Sequence, residues 1–185
     1  MTVGPENKSA EREVANDQPP GPDTHGEDHA VPAERDHPDV PILPPVLFGC
    51  TLLFSLLFEV VGGGDFFRFG AQLTIGLLTI SFGAGLMAWC LTLFAHEGTN
   101  IEPYKPTTTL VTVGPFAFSR NPIYIALSAL YLGLCILFDI TWGFVFFPPL
   151  IVALHFLVIV REEAYLEDKF GQAYRDYCAS VRRWL

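Results

Sequence analysis

PIYIALSALYLGLCILFDITWGFVFFPPLIVALHFLVIV, residues Pro122 to Val160, holds one formal charge, Asp139, in 39 residues. A bilayer core about 30 Å thick takes roughly 20 mostly apolar residues of helix. The run is therefore too long for one span, and Asp139 to Gly143 is expected to form the tight turn of a helical hairpin. Two more apolar stretches lie before it: about Ile42 to Val61, with Glu59 near its far end, and about Leu73 to Ala95, which has no charge. The first ends at Gly62-Gly63-Gly64-Asp65. After Arg161 the pattern changes: Leu166, Phe170, Tyr174, Tyr177, Val181 and Trp184 recur at three- and four-residue spacing, and the intervening positions are charged or polar. That is the period of an amphipathic helix on a membrane surface or folded over the bundle end, with Gly171 bending or capping it midway. The expected fold is an all-α integral membrane protein with four transmembrane helices and a C-terminal amphipathic cytoplasmic helix.

Residues 1–40 differ in kind. They contain 10 Asp or Glu, 3 Lys or Arg, six prolines and no aromatic residue, and so carry −7 of the formal charge of −9. Such a segment cannot bury enough apolar surface to fold alone. Two regions are thus expected, a disordered acidic tail over 1–40 and a transmembrane domain over 41–185, the latter nearly neutral with 10 acids and 8 bases. Nothing is basic enough for nucleic acid. The tail lacks the basic start and apolar stretch of a signal peptide, so the first span is expected to act as the insertion signal, and neither end carries a lipidation motif. Cys50, Cys90, Cys135 and Cys178 are widely spaced and read as small apolar fillers rather than metal ligands. His25, His29 and His37 lack fixed geometry, and no metal site is expected.

Orientation follows from the basic residues. With the N-terminus in the cytoplasm, Arg35, Lys105, Arg120, Arg161, Lys169, Arg175, Arg182 and Arg183 are cytoplasmic and only Arg68 is on the far side. Both termini are then cytoplasmic, and the two polar segments at the span ends, Thr107 to Tyr124 and Arg161 to Tyr177, can face each other. Asn121-Pro122 is a favourable start for the third span, since Asn is a good N-cap and Pro is tolerated at the first helical position. With Arg120 beside it, that helix end is either a site for a carboxylate or phosphate or simply a capped terminus. Glu162 and Glu163 stand where acids are unfavourable relative to the helix dipole, and could accept from ligand hydroxyls or offset a cation; alternatively Glu163 pairs with Arg161 or Lys169. His155 lies six residues inside the fourth span, roughly 9 Å below Arg161. An ionisable group at that depth is a functional candidate, or a neutral one bonded to a neighbouring helix. Pro148 and Pro149 are expected to kink the helix above it. Phe116 and Tyr124 offer rings for a flat base or a cation, or serve only as interfacial aromatics.

Thr109-Leu110-Val111-Thr112-x-Gly114-Pro115-Phe116-x-x-x-Arg120-Asn121-Pro122-x-Tyr124, followed by Glu162-Glu163-x-x-Leu166-x-x-x-Phe170-Gly171-x-x-Tyr174-x-x-Tyr177, resembles the isoprenylcysteine carboxyl methyltransferase family, to which the phospholipid N-methyltransferases are similar. The resemblance covers about residues 96 to 185. It implies a membrane enzyme, here of the bacterial type and so of the inner membrane, that takes S-adenosylmethionine from the cytosol and methylates a lipidic or small apolar acceptor arriving through the bilayer. Carried over by motif, the cofactor would be bound by Thr108, Thr109, Leu110, Val111, Phe116, Asn121, Pro122, Tyr124, Glu162 and Glu163. The eukaryotic enzymes have His at the position of Asn121 and Tyr at that of Phe116. Where they have a substrate-handling arginine one turn before the glutamates, this chain has Val158, for which Arg161 or His155 is the candidate substitute. A carboxylate acceptor needs no base, whereas an amine or thiol would need one, and His155 is the candidate. Two other readings compete: an NADPH-dependent membrane reductase of similar C-terminal architecture, which should need more basic residues than Lys105 and Arg120 for a 2′-phosphate, and a non-catalytic membrane scaffold whose acidic tail recruits a partner.

Overall fold

A computed structural model describes residues 38–62, 70–98 and 109–184, all within one unit, Arg35–Leu185. Residues 1–37, and with them nearly all of the expected acidic tail, lie outside the described residues, as does Thr108. The described residues are helical, with no strand among them: α1 Pro44–Gly62, α2 Gln72–Glu97, α3 Pro122–Leu137, α4 Thr141–Leu154, α5 Val160–Phe170 and α6 Gln172–Ser180. A short 3-10 turn, Gly114–Ala117, precedes α3, and a π-helical turn, His155–Ile159, joins α4 to α5 without a break.

Among the described residues, three helical stretches are long and apolar enough to cross a membrane: Pro44–Gly62, Gln72–His96 and Thr141–Phe170. Their side chains turn largely outward. Leu53, Leu57, Val60, Leu73, Leu78 and Phe82 are all exposed, an apolar surface that a soluble monomer would not present and that lipid would cover. The expected third span, α3, has 16 residues, about 24 Å of helix, and so falls short of a bilayer core of about 30 Å. The hairpin itself is present, but its turn is confined to Phe138–Ile140 and the second helix resumes at Thr141. Asp139 takes the left-handed conformation there (φ 53°), which a short polar side chain tolerates.

The pairing of α2 with α3 is the most extensive in the bundle, and α1 packs mainly on α4. Small residues account for the first. A Cβ on Gly133 would come within 2.7 Å of Ile80 Cγ1, and one on Gly83 within 2.9 Å of the Ala126 carbonyl, so the backbones touch where a membrane offers no hydrophobic drive between helices. The second is aromatic, with Phe54 and Phe58 ringed by Trp142 and Phe146. Between the pairs, Tyr131 joins Ser55 and the Gly143 carbonyl, each at 3.1 Å, which satisfies a buried hydroxyl far from water.

The amphipathic C-terminal stretch divides where expected. Gly171 (φ 54°) separates α5 from α6, and Tyr174 and Tyr177 on α6 are buried. Pro148 and Pro149 lie inside α4, and the departure from α geometry follows six residues later, in the π turn.

Candidate functional site

A cavity of about 460 Å³ lies at the end of the bundle where α3 begins and α5 emerges, a size typical of small-ligand sites. Met87, Leu91 and Phe94 of α2 form one wall, and Leu43 to Val46 at the start of α1 form another. Thr109, Leu110, Val111 and Phe116 close it from the loop, Arg120 to Tyr124 and Leu127 from the start of α3, and Glu162, Glu163, Tyr165, Leu166, Tyr174 and Tyr177 from α5 and α6. The two sequence blocks, about forty residues apart in the chain, thus face each other across one space.

Its polar floor is built from consecutive glutamates with different tasks. The Tyr124 hydroxyl is 2.7 Å from both Glu162 oxygens and donates its one proton to that carboxylate. Among the described residues, no lysine or arginine pairs with Glu162. Glu163, one position on and about 100° around the helix, is bound by two arginines. Arg183 grips it through both carboxylate oxygens, Nε to Oε1 at 2.9 Å and Nη2 to Oε2 at 2.6 Å, and Arg120 Nη1 lies 3.2 Å from Oε1. The Glu163 carboxylate holds the Arg183 guanidinium above its ordinary pKa.

Two expectations change here. Glu163 pairs with neither Arg161 nor Lys169, because its side chain turns toward the C-terminal segment and not along α5. Asn121 occupies the N-cap position, yet its side chain makes no capping bond. Its amide donates to the Arg183 carbonyl at 2.9 Å, and Ser119 Oγ accepts from the Asn121 N–H instead. Arg120 Nη1 is paired with Glu163, so the start of α3 is braced to α5 as well as to the C-terminal segment.

Phe116 sits in an apolar cluster with Cys90 and Val111; its ring lies 5.1 Å from that of Phe94, and its carbonyl accepts from the Tyr177 hydroxyl at 2.7 Å. Burial pushes the Tyr177 phenol up to about 12, so it remains a donor across the physiological range.

Of the residues singled out from sequence, Thr109, Leu110, Val111, Phe116, Asn121, Pro122, Tyr124, Glu162 and Glu163 are brought together in the cavity wall. His155 and Arg161 are not in it. In an unbroken α-helix His155 would share a face with Val158, Ile159 and Glu162. The wider π turn shifts that register, so Leu154, Val158 and Ile159 are the fully buried residues and His155 lies against Phe156. Arg161 is exposed, and its guanidinium donates to the Asp39 carbonyl at 2.9 Å. Val158 is completely buried in the core cluster that contains Tyr124. Sequence reasoning missed the α2 wall, whose charge-free run has no periodic marker, and it passed over Arg183 as one more cytoplasmic arginine. Tyr174 and Tyr177 carried a visible signal in their helical spacing.

Apolar helices that turn their side chains outward, with a cavity of small-molecule size at one end of the bundle, point to a membrane protein. The chain belongs to the phospholipid methyltransferase family, whose model matches residues 71–173, more than half of its length. That family is related to the isoprenylcysteine carboxyl methyltransferases. An uncharacterized protein of Haemophilus influenzae is 67% identical over 27 residues, 15% of this chain and 43% of that relative; the match thus spans less than half of the relative. No solved structure matches the chain.

Proposed function

We propose that the chain is an S-adenosylmethionine-dependent methyltransferase that acts on a lipidic or small apolar acceptor entering from the bilayer. The observation that carries this reading is the pairing of one carboxylate, Glu162, fixed by Tyr124 and lacking a cationic partner among the described residues, with apolar and aromatic walls around a cavity of about 460 Å³. A cofactor with a sulfonium charge, an adenine ring and ribose hydroxyls fits those groups. When bound, it supplies an activated methyl group for in-line displacement by the acceptor's lone pair, a step that depends on alignment and on keeping water out.

In this reading Glu162 offsets positive charge and accepts from ligand donors, and Tyr124 fixes which way its oxygens face. Phe94 and Phe116 give a flat ring a surface to stack on. Thr109 to Val111 close the loop side, and Met87, Leu91 and Leu127 exclude water. Asn121 acts on the turn that carries Pro122 and Tyr124 and not on the ligand directly. Glu163 acts in the same indirect way. His155 and Arg161, outside the cavity wall, have no contact with the reacting groups in this reading.

The cavity end is the cytoplasmic end, from the distribution of basic residues, and both termini are cytoplasmic. Helix α3 serves as a short third span, inserted with α4 as a hairpin, and the surrounding bilayer is the bacterial inner membrane. An NADPH reductase is disfavoured because Arg120, the one arginine among the described residues of the cavity wall, is already paired with Glu163.

Calorimetric titration of the detergent-solubilised protein with S-adenosylhomocysteine and, separately, with NADPH tests the reading. Saturable binding of the first and not the second is expected. Binding of NADPH alone would move the chain to the reductases, and binding of neither would favour a scaffold.

A further inference from the structure

After α6 the chain straightens at Val181 (φ −124°, ψ 132°) and runs back beside the start of α3. Three bonds tie it there. The Arg182 carbonyl accepts from the Arg120 N–H at 3.0 Å, and the Arg183 carbonyl accepts from both Ser119 Oγ at 3.2 Å and Asn121 Nδ2 at 2.9 Å. Trp184 packs against the core cluster that includes Tyr124, Val158 and Ile159. The Arg183 side chain leaves in the other direction and holds Glu163 on α5 with two N–H donors.

Arg183 is therefore fastened by its backbone to the corner before α3 and by its guanidinium to α5. Those are the two elements that the Tyr124–Glu162 hydrogen bond spans on the cavity side. Residues 181–184 lie beyond the span matched to the family, and Arg183 does not line the cavity. We propose that Arg183 is a positioning residue: it clamps the start of α3 to α5 and so sets the geometry of the Tyr124–Glu162 pair that meets the ligand. The C-terminal strap is thereby part of the binding machinery and not a loose end. This rests on the reading of the cavity as a cofactor site.

The chemistry requires an arginine. A planar fork meets both oxygens of one carboxylate at once, whereas a lysine ammonium is a point charge on a flexible stem. Arg120 also faces Glu163, but its own Nη1 is shared with Cys178 Sγ and it contributes a single contact at 3.2 Å. Without the Arg183 guanidinium, Glu163 would retain charge compensation from Arg120, while the strap, still tied to the corner by its backbone, lost its hold on α5.

The test uses the full chain in nanodiscs, titrated with S-adenosylhomocysteine as wild type, Arg183→Lys and Arg183→Ala, the last also with added guanidinium. Affinity is expected to fall on the order of tenfold to a hundredfold in R183A, the scale of a small misplacement of binding groups, and less in R183K, with partial recovery of R183A by guanidinium. In parallel, hydrogen exchange without ligand should speed up over 119–125 and 160–166 in R183A and not over α1. Wild-type affinity in R183A, or unchanged exchange at both segments, would overturn the proposal. A loss of affinity that guanidinium does not relieve and that tracks global unfolding would overturn it too. If the wild type fails to bind S-adenosylhomocysteine, the cofactor reading falls, and the exchange experiment alone decides whether Arg183 clamps the two elements.

Discussion

The two ends of the bundle use polar residues in opposite ways. At the hairpin end Gln72 and Glu59 each meet the backbone at a helix terminus. Gln72 donates to the Ile136 carbonyl at 2.8 Å, at the last turn of α3, where it joins the Asp139 N–H at 3.3 Å. Glu59 accepts from the Trp142 N–H at 3.1 Å, at the start of α4. Glycines draw the backbones together there, Gly76 against Leu137 and Gly133 against Ile80. At the other end the helices are held apart and braced, by Arg183 and Arg120 on Glu163 and by Asn121 on the Arg183 carbonyl. One carboxylate is left facing a cavity with a tyrosine hydroxyl on it. The half-buried acid at the hairpin end meets a backbone donor, whereas the acid in the cavity wall is oriented by a tyrosine and has no cation on it among the described residues.

The sharpest attempt to break this contrast is to neutralise each acid in turn. Glu162→Gln should weaken S-adenosylhomocysteine binding by on the order of 2–3 kcal/mol, about 30- to 150-fold, the scale of a hydrogen bond to a charged group. Tyr124→Phe, which leaves the carboxylate in place but no longer aimed, should cost about 1 kcal/mol in the same titration. Equal, small effects of both would mean that Glu162 is structural, like Glu59, and the distinction between the ends would collapse.

Next in size is the packing of the closed end. Gly133→Val would push a branched side chain against Ile80 Cγ1 and its backbone nitrogen, which a Cβ alone already meets at 2.7 and 2.9 Å. Overpacking of this kind costs about 1–3 kcal/mol and should lower the thermal unfolding midpoint in detergent. Gly49→Ala on α1, where nothing lies within 4 Å, should leave the midpoint unchanged or raise it slightly, since alanine favours helix over glycine. If both variants unfold alike, the α2–α3 contact is not what holds the bundle.

Much of this division was legible in the sequence. The length and apolarity of Pro122 to Val160 forced a hairpin, and the two polar blocks were expected to face each other. The roles of single side chains were less legible, because each depended on a register or a partner that spacing does not encode. His155 falls on the Glu162 face only if the helix is regular, and the π turn at 155–159 removes it. Asn121 reads as a cap until its amide is seen to donate to the Arg183 carbonyl, with no capping bond made. Arg183 looked like a topological charge because its partner, Glu163, lies twenty residues earlier on a different helix. The length of α3 shows the same limit: hydropathy gave the apolar stretch, and the position of the turn decided how much of it each helix received.

The smallest effect concerns Glu59, near the far end of the first span. Glu59 supplies a carboxylate to the first turn of α4, where unpaired N–H groups and the positive end of the helix dipole favour negative charge. Glu59→Gln keeps an acceptor oxygen but removes the charge, so the loss should be about 0.5–1 kcal/mol, the ordinary worth of a charge at a helix start. Thermal unfolding in detergent would register it as a slightly lower midpoint, and affinity for S-adenosylhomocysteine should not move. A change in affinity would show that the hairpin turn and the cavity are coupled along α3 and α4, which would replace the contrast between the two ends with a single lever running through the bundle.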